Sequence, residues 1–487
     1  MVVKYAYALP HSYLVDGFDA ATNTVHEFHG YLWHGCPTCF PKRDNHSKLN
    51  LDQTFEEMFQ ATLSKHQILR ANGYLLRIMW ECQWREQSSS QQCIIDFLAT
   101  WKPVPPLDPR DAFFGGRTNA CTLYRQVEPG GMILYVDVTS LYPWVNATAE
   151  YPVGHPQIIT NPEDQDIASY FGVAMVDVVP PHELYHPVLP SRQGKKLTFP
   201  LCTKCVADEM DKSLLEKTSV CKHTDEERMM RGTWCTPELL KAREKGYRIV
   251  QIHEVWHFPR RVKGLFQDYV NKWLKVKQES SGYLSWADSE EKKAEYRQNY
   301  LQHQGIDLDP NLITKNAGRK ATAKLMLNSF WGKFGENLDK TRVVPVTDTA
   351  QLYSALYHNT ENVERIRICN DDLLELVIGE DGGNQLSNGR QNIFIAAFTT
   401  CFARLKLYQY LDLLKERVLY FNTDSVVYSW MPGQPHVPLG DYLGDMTNEL
   451  DEGDHIEEFA SAGPKNYGYT TASGKVTCKV RGFTLNV

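Results

Sequence analysis

Three short apolar runs predict strands: Met132 to Val138, Val418 to Phe421 and Val426 to Trp430. The last two are separated by Asn422, Thr423, Asp424 and Ser425, all turn formers, so they predict a β-hairpin with Asp424 at or near its tip. Helical spacing appears in two stretches. Over residues 265 to 277, Leu265, Phe266, Tyr269, Val270, Trp273 and Leu274 recur as one apolar face. A second helix is predicted from Pro310 to Phe334. Near the start, Glu27 and His29 fall on one strand face by alternation. Residues 86 to 92 (EQSSSQQ) are polar and residues 101 to 109 (WKPVPPLDP) are proline-rich, which predicts a linker ending a first unit near Trp84. Residues 340 to 395 read as an insertion without a signature.

Composition narrows the class more than the function. A chain of 487 residues suggests about three domains, and 42% hydrophobic with 23% charged residues is ordinary for a globular protein. The first twelve residues lack a charged stretch followed by an apolar one, and nowhere do roughly 18 apolar residues run together. No secretory signal and no membrane span are therefore expected. Twelve cysteines in that context predict reduced thiols and metal ligands, and hence the nucleus or cytoplasm. The net charge of −7 is neutral on nucleic acid, because a basic groove and an acidic metal site offset each other in the total.

Three segments carry chemistry. MILYVDVTSLYP places Asp137 at the end of an apolar strand, and VLYFNTDSVVY places Asp424 in a hairpin turn. Either alone reads equally as a solvated turn carboxylate. Together they are what in-line phosphoryl transfer to a hydroxyl needs, since two carboxylates can clamp two metals about 3.5–4 Å apart. The third segment is KATAKLMLNSFWGKFG. Lys320, Lys324, Asn328 and Gly332 recur every four residues there, so on a helix they form one stripe offering cations, an amide and a bare glycine.

DVTSLYP at 137–143, KLMLNSFWGKFG at 324–335 and NTDS at 422–425 resemble motifs A, B and C of family B DNA polymerases, in order. The wording of the second is similar to the protein-primed branch of phages, linear plasmids and self-synthesising transposons. FFGG at 113–116 resembles the Y-x-G-G element, and KNY at 465–467 the K-x-Y element. The resemblance implies an α+β fold, with a right-hand palm built on an antiparallel sheet and helical fingers. It implies a DNA-directed DNA polymerase acting on primer–template DNA and dNTPs with Mg²⁺ or Mn²⁺, and a terminal protein as a potential primer.

Carried over by position, Asp137, Asp424 and the Val138 carbonyl would hold the metals. Ser140 and Leu141 would meet the triphosphate through backbone amides, and Tyr142 would lie under the sugar. Lys324 and Asn328 would contact the nucleotide. Phe113, Gly115, Gly116, Ser329, Gly332 and Thr423 would contact DNA, and Lys465 and Tyr467 would hold the primer end. The chain departs from the family at Asn422, where D-T-D-S has its first Asp, and at Phe113, where a Tyr is usual. No D-x-E proofreading motif precedes residue 110.

Cys202-x-x-Cys205 with Cys221-x-His223 has the spacing of a structural zinc knuckle, with Cys235 as a spare ligand. TVHEFHGYLWHGCPTCF followed by NGYLLRIMWECQW resembles very-short-patch-repair endonucleases, which implies a small α/β restriction-endonuclease-like domain, active or decayed. On that comparison Asp16, Glu27 and His29 would bind a nuclease metal. Cys36, Cys39 and Cys82 would bind a second zinc, with Tyr31 in place of a fourth cysteine unless His34 substitutes.

The expected divisions follow. Residues 1–85 form the endonuclease-like domain and 86–126 a linker with the FFGG element; 127–150 are palm with motif A. Residues 151–260 are an insertion similar to a terminal-protein region and 261–335 are fingers. Residues 336–432 are palm with an insertion and motif C, and 433–487 are the palm end and the start of a truncated thumb. Two other functions stay open: a decayed DNA-binding remnant, and an endonuclease acting through the first domain. A reverse transcriptase is disfavoured, because its hairpin would show two adjacent aspartates.

Overall fold

The strand Met132–Val138 is the axis of the larger part of the molecule, and its sequence explains why. Ile133, Tyr135, Val136 and Val138 are buried, so both faces are covered, as an inner strand requires. Around it a ten-stranded antiparallel sheet assembles. In order across the sheet stand Phe483–Asn486, Val476–Val480, Tyr467–Thr471, Ile456–Ser461, Met132–Val138, Ser425–Trp430, Val418–Asn422 and Thr118–Ala120. Met446–Asn448 also pairs with the axial strand, and Tyr124–Gln126 pairs with Ile456–Ser461. Behind the sheet lies the helix Ile393–Leu414, capped by the Asn392 side chain, which accepts from the amides of Phe394 and Ile395. Leu407 and Leu411 of that helix are fully buried against Val136, Val138, Leu141 and Phe421. Each such side chain contributes on the order of 1.5–3 kcal/mol of transfer free energy.

This computed structural model describes residues 7–8, 14–19, 21–47, 50–100, 105–194, 196–211, 221–336, 342–357, 361–370, 373–380, 391–481 and 483–486. The chain forms two units, Met1–Pro105 and Pro106–Val487. Among the described residues no helix is long and apolar enough to cross a membrane.

The second unit adds three features to the large sheet. One is a four-stranded sheet in the order Gln157–Thr160, Arg248–His257, Gly172–Val179 and Met230–Cys235. Another is a set of helices, Gln267–Glu279, Glu290–Gln304 and Ala317–Ser329, with a 3₁₀ turn at Trp331–Gly335. The third is a three-stranded sheet of Arg342–Val346, Leu373–Glu380 and Glu361–Asn370 with the helix Thr349–Tyr357, which gives structure to the signature-free insertion. The architecture is α+β, as expected.

In the first unit, Gly17–Asp19 pairs antiparallel with Thr24–His29, which pairs in parallel with Leu75–Trp80. The connecting chain includes the helix Phe55–Ala71, started by a capping box between Thr54 and Glu57. Its small core is Val15, Val25 and Leu69.

Two expectations need correction. The 86–92 linker is not one: Glu81–Ser90 is helical, and Gln92–Thr100 is a further helix within the first unit. Ser89 and Ser90 return their hydroxyls to the carbonyls of Arg85 and Glu86 at 2.8 and 2.6 Å, so the serine run is accommodated inside a helix with no Gly or Pro to break it. The unit boundary therefore falls at Pro105, not at residue 85, and residues 106–126 belong to the second unit. Of the proline-rich stretch, residues 101–104 lie outside the described residues. The Pro310–Phe334 helix is also shorter than expected. It starts at Ala317, capped by Asn316, and gives way to the 3₁₀ turn after Ser329, so Gly332 lies beyond the helix that carries Lys320, Lys324 and Asn328.

Candidate active site and metal centres

Asp137 stands directly opposite Ser425, one residue past Asp424, in the pairing of the two strands. The Val138 amide donates to the Asp424 carbonyl at 2.8 Å, so the two aspartates are tied through backbone as well as register. The hairpin between Asn422 and Ser425 has a two-residue loop, with Thr423 at φ 56°. A β-branched residue takes that left-handed conformation only when its surroundings impose it. Here the Thr423 amide donates to the Arg117 carbonyl at 2.7 Å. Gly116 lies so close that a Cβ there would come within 2.8 Å of the Thr423 methyl. The FFGG element is thus packed against the hairpin tip. It is held from behind by Arg404, which donates to the Phe114 and Gly115 carbonyls at 2.8 and 3.0 Å. Arg404 itself is buried in a bidentate pair with Glu238 at 2.8 and 2.9 Å.

Both aspartates sit in an environment that penalises their negative charge. Burial, then Asp424 and Glu449, push the Asp137 carboxyl up to about 8, against the opposing pull of Lys479 and Lys324. Burial, with Glu449 adding, pushes Asp424 up to about 6. Hard carboxylate oxygens whose charge lacks compensation suit a hard divalent cation. Glu449 is a third acidic neighbour, positioned by its amide donating to the Tyr135 carbonyl at 2.9 Å. The three carboxylates do not form a tight ligand group: among the described residues, only two cysteine-containing groups bring three or more ligand atoms within 4.8 Å of one another.

Beside the carboxylates is a cationic pocket. Ser140 adopts φ 55° and caps the helix Leu141–Thr148 without donating its side chain to it. Its hydroxyl instead accepts from Lys277 at 3.1 Å. Burial, then Lys324 and Lys320, lower the Lys277 ammonium below the usual lysine range. An N-terminus with uncapped amides and converging lysines is an anion site. Lys324, Asn328, Ser329 and Gly332 are all exposed. Tyr142 stacks on Trp331 with centroids 4.5 Å apart and planes 23° apart. Burial, then Asp424, push its phenol up to about 12. Phe113 packs closely on Gly335, where a Cβ would come within 2.7 Å of its ring. Lys465, exposed and at φ 64°, donates its amide to the Tyr420 hydroxyl at 2.7 Å. Tyr467 is buried, its hydroxyl 3.0 Å from that of Tyr135. Asn422 accepts from the Thr118 hydroxyl at 3.0 Å.

Around Asp137 and Asp424 the structure adds Lys277, Glu449, Trp331 and Arg404 to the residues expected from the motifs. Lys277 lies on a helix expected from its apolar face, but nothing along the chain aims its ammonium at Ser140. Glu449 sits in an acidic run that reads as solvated surface.

Cys202, Cys205, Cys221 and His223 converge with all four ligand atoms within 4.8 Å of one another. The three sulfurs lie 3.3–3.6 Å from His223 Nδ1. Asp208 lies 3.4 Å from His223 Nε2, the arrangement by which a carboxylate orients a ligating imidazole. Cys235 is not a spare ligand: it closes the strand Met230–Cys235 and is buried in the apolar core with Cys401.

In the first unit, Cys36, Cys39 and Cys82 also form a close group. His34 does not complete it; its Nδ1 lies 3.0 Å from the Thr62 hydroxyl and its ring is tilted 43° to that of His29, centroids 4.4 Å apart. The expected trio Asp16, Glu27 and His29 is not brought into one ligand group among the described residues. Glu27 and His29 do share a buried strand face. However, Glu27 is held by Lys65 at 2.7 Å, and His29 Nε2 faces His66 Nε2 at 2.8 Å. Asp16 accepts from the Phe28 amide at 2.7 Å.

Residues 109–287 match the family described as DNA polymerase type B, organellar and viral. The DNA polymerases of Bacillus phage Nf and Bacillus phage M2 are each 24% identical over 322 residues, covering 65% of this chain and 42% of theirs. Among solved structures, Phi29 DNA polymerase in an orthorhombic crystal form aligns over 77% of this chain and 55% of its own, at 18% identity and a TM-score of 0.48. The chain spans less than half the length of the curated relatives it matches. Residues 109–287, within the second unit, are thus similar to the organellar and viral type B DNA polymerases.

Proposed function

We propose that the second unit is a template-directed DNA polymerase, adding dNMPs to a primer 3′ hydroxyl. One observation carries the reading: Asp137 pairs with Ser425 while Asp424, in the adjoining hairpin loop, accepts from the Val138 amide, beside a helix start where Lys277 donates to Ser140 with Lys324 and Lys320 acting on its charge. A carboxylate pair next to an anion site is what joining a hydroxyl to a triphosphate requires. Asp137, Asp424 and the Val138 carbonyl hold the divalent cations, Mg²⁺ or Mn²⁺. When bound, these lower the barrier by neutralising charge on the attacking and leaving oxygens. The chain's own residues do the positioning. Lysines and helix amides seat the triphosphate, Tyr142 floors the sugar, and Asn328 meets the nucleotide. Ser329, Gly332, Thr423 and the FFGG backbone line the template side, and Lys465 with Tyr467 grip the primer end. We assign structural zinc to Cys202, Cys205, Cys221 and His223, and place the reaction in the nucleus or cytoplasm. Priming from a protein hydroxyl belongs to the same reading.

The test is extension of a primed template with dNTPs and Mg²⁺. The parent chain is expected to extend, and Asp137→Ala and Asp424→Ala each to lose on the order of 10³-fold, about 4 kcal/mol of barrier, while still binding DNA. A parent that binds primer–template but extends nothing refutes the enzyme reading in favour of a decayed DNA-binding remnant, the reading to which Asn422 lends weight.

A further inference from the structure

We propose that Lys479 is an additional contact to the primer strand, holding a backbone phosphate beside Asp137; this rests on the polymerase reading above. Lys479 lies on the strand Val476–Val480, directly opposite Tyr467. Its ammonium sits 5.4 Å from the Tyr135 ring centroid and 5.6 Å from that of Tyr467. Tyr135 precedes Asp137 by two residues on one strand, so both project from the same face of the sheet. The ammonium is therefore on the sheet face that carries Asp137.

Two features make this a nucleic-acid contact and not an internal ion pair. Among the described residues no carboxylate lies within 4.0 Å of Lys479, whereas Lys475, on the same hairpin, pairs with Asp451 at 3.1 Å. Aromatic faces fix where a cation sits without cancelling its charge. The tyrosine facing it, Tyr467, follows by two residues the lysine expected to grip the primer end, so a phosphate held there belongs to the strand whose 3′ end Asp137 serves. Each phosphate neutralised on duplex DNA contributes about 0.9 to the slope of log affinity against log salt.

The experiment is equilibrium binding of a fluorescent primer–template to the full chain across a KCl series, with primer extension by the parent on the same duplex. Lys479→Ala is expected to weaken binding by about 3–10-fold and to reduce the salt slope by about 1, as a lost phosphate contact does. Lys479→Arg keeps the parental slope, and so does Lys475→Ala. Should Lys479→Ala not fold, Lys479→Met keeps the alkyl stem over the rings and removes only the charge. An unchanged slope in a folded Lys479 variant, with a parent that extends, overturns this contact alone. A reduced slope with a parent that does not extend upholds the contact and overturns the polymerase activity.

Discussion

Tyr142 does not stand by itself: Trp331 stacks on it at 4.5 Å, and together they form one aromatic floor. Tyr142→Ala is expected to raise ribonucleotide over deoxyribonucleotide incorporation on the order of 10²-fold, about 2.7 kcal/mol of lost discrimination, read by single-nucleotide incorporation. Trp331→Ala should do so by less, because it removes the support and leaves the ring. Arg404 acts at one remove from the chemistry. Its pair with Glu238 is 3% and 1% exposed. Arg404→Ala would leave Glu238 buried and unpaired and is expected to cost about 3–5 kcal/mol, measured by urea unfolding. At this scale Asp137 and Asp424 were legible because strand ends and turn residues show locally. Lys277 and Arg404 were not, since their meaning lies in the helix or strand they meet.

The Cys202, Cys205, Cys221 and His223 cluster is a case where spacing along the chain sufficed. Residues two and three apart can share a metal whatever the rest of the molecule does, and the four ligand atoms converge as expected. Purified chain is expected to hold one tightly bound zinc at this site. Cys205→Ser and His223→Ala should each lose it and lower the melting temperature of the second unit, checked by metal analysis and calorimetry. The linker expectation failed at the same scale for the opposite reason. Serine is a weak helix former, yet Ser89 and Ser90 satisfy their hydroxyls on preceding carbonyls and let the helix run on. Pro310 likewise fell outside its helix. Glu279, 1% exposed, accepts from the Asp309 amide at 3.0 Å, holding that stretch as an ordered loop until Asn316 can cap the helix.

For the molecule as a whole, the first unit should lose stability in mild acid. In the first unit His29 is fully buried; burial, then His34 and His66, lower it to about 3, and burial lowers His66 as well. Both bind protons more readily unfolded than folded. Their contribution to stability is therefore full above the unfolded value near 6.5 and is lost as pH falls below it. At pH 5 His29 alone should cost the first unit about 2 kcal/mol. The melting temperature of that unit should fall between pH 7 and 5, and His29→Phe should flatten the dependence, followed by calorimetry of the full chain. The buried histidines could not be anticipated from TVHEFHG, because alternation placed Glu27 and His29 on one face without naming what covers it. Sequence by itself determined the motifs, their order, the antiparallel hairpin around Asp424 and the cluster of three cysteines and His223, all consequences of short-range periodicity, turn chemistry and ligand spacing. Only the tertiary structure decided the unit boundary, the engagement of Glu27 by Lys65, and the lysines and Glu449 around the carboxylates. Those depend on contacts between residues tens to hundreds of positions apart, where burial and charge are set by partners the local chain does not contain.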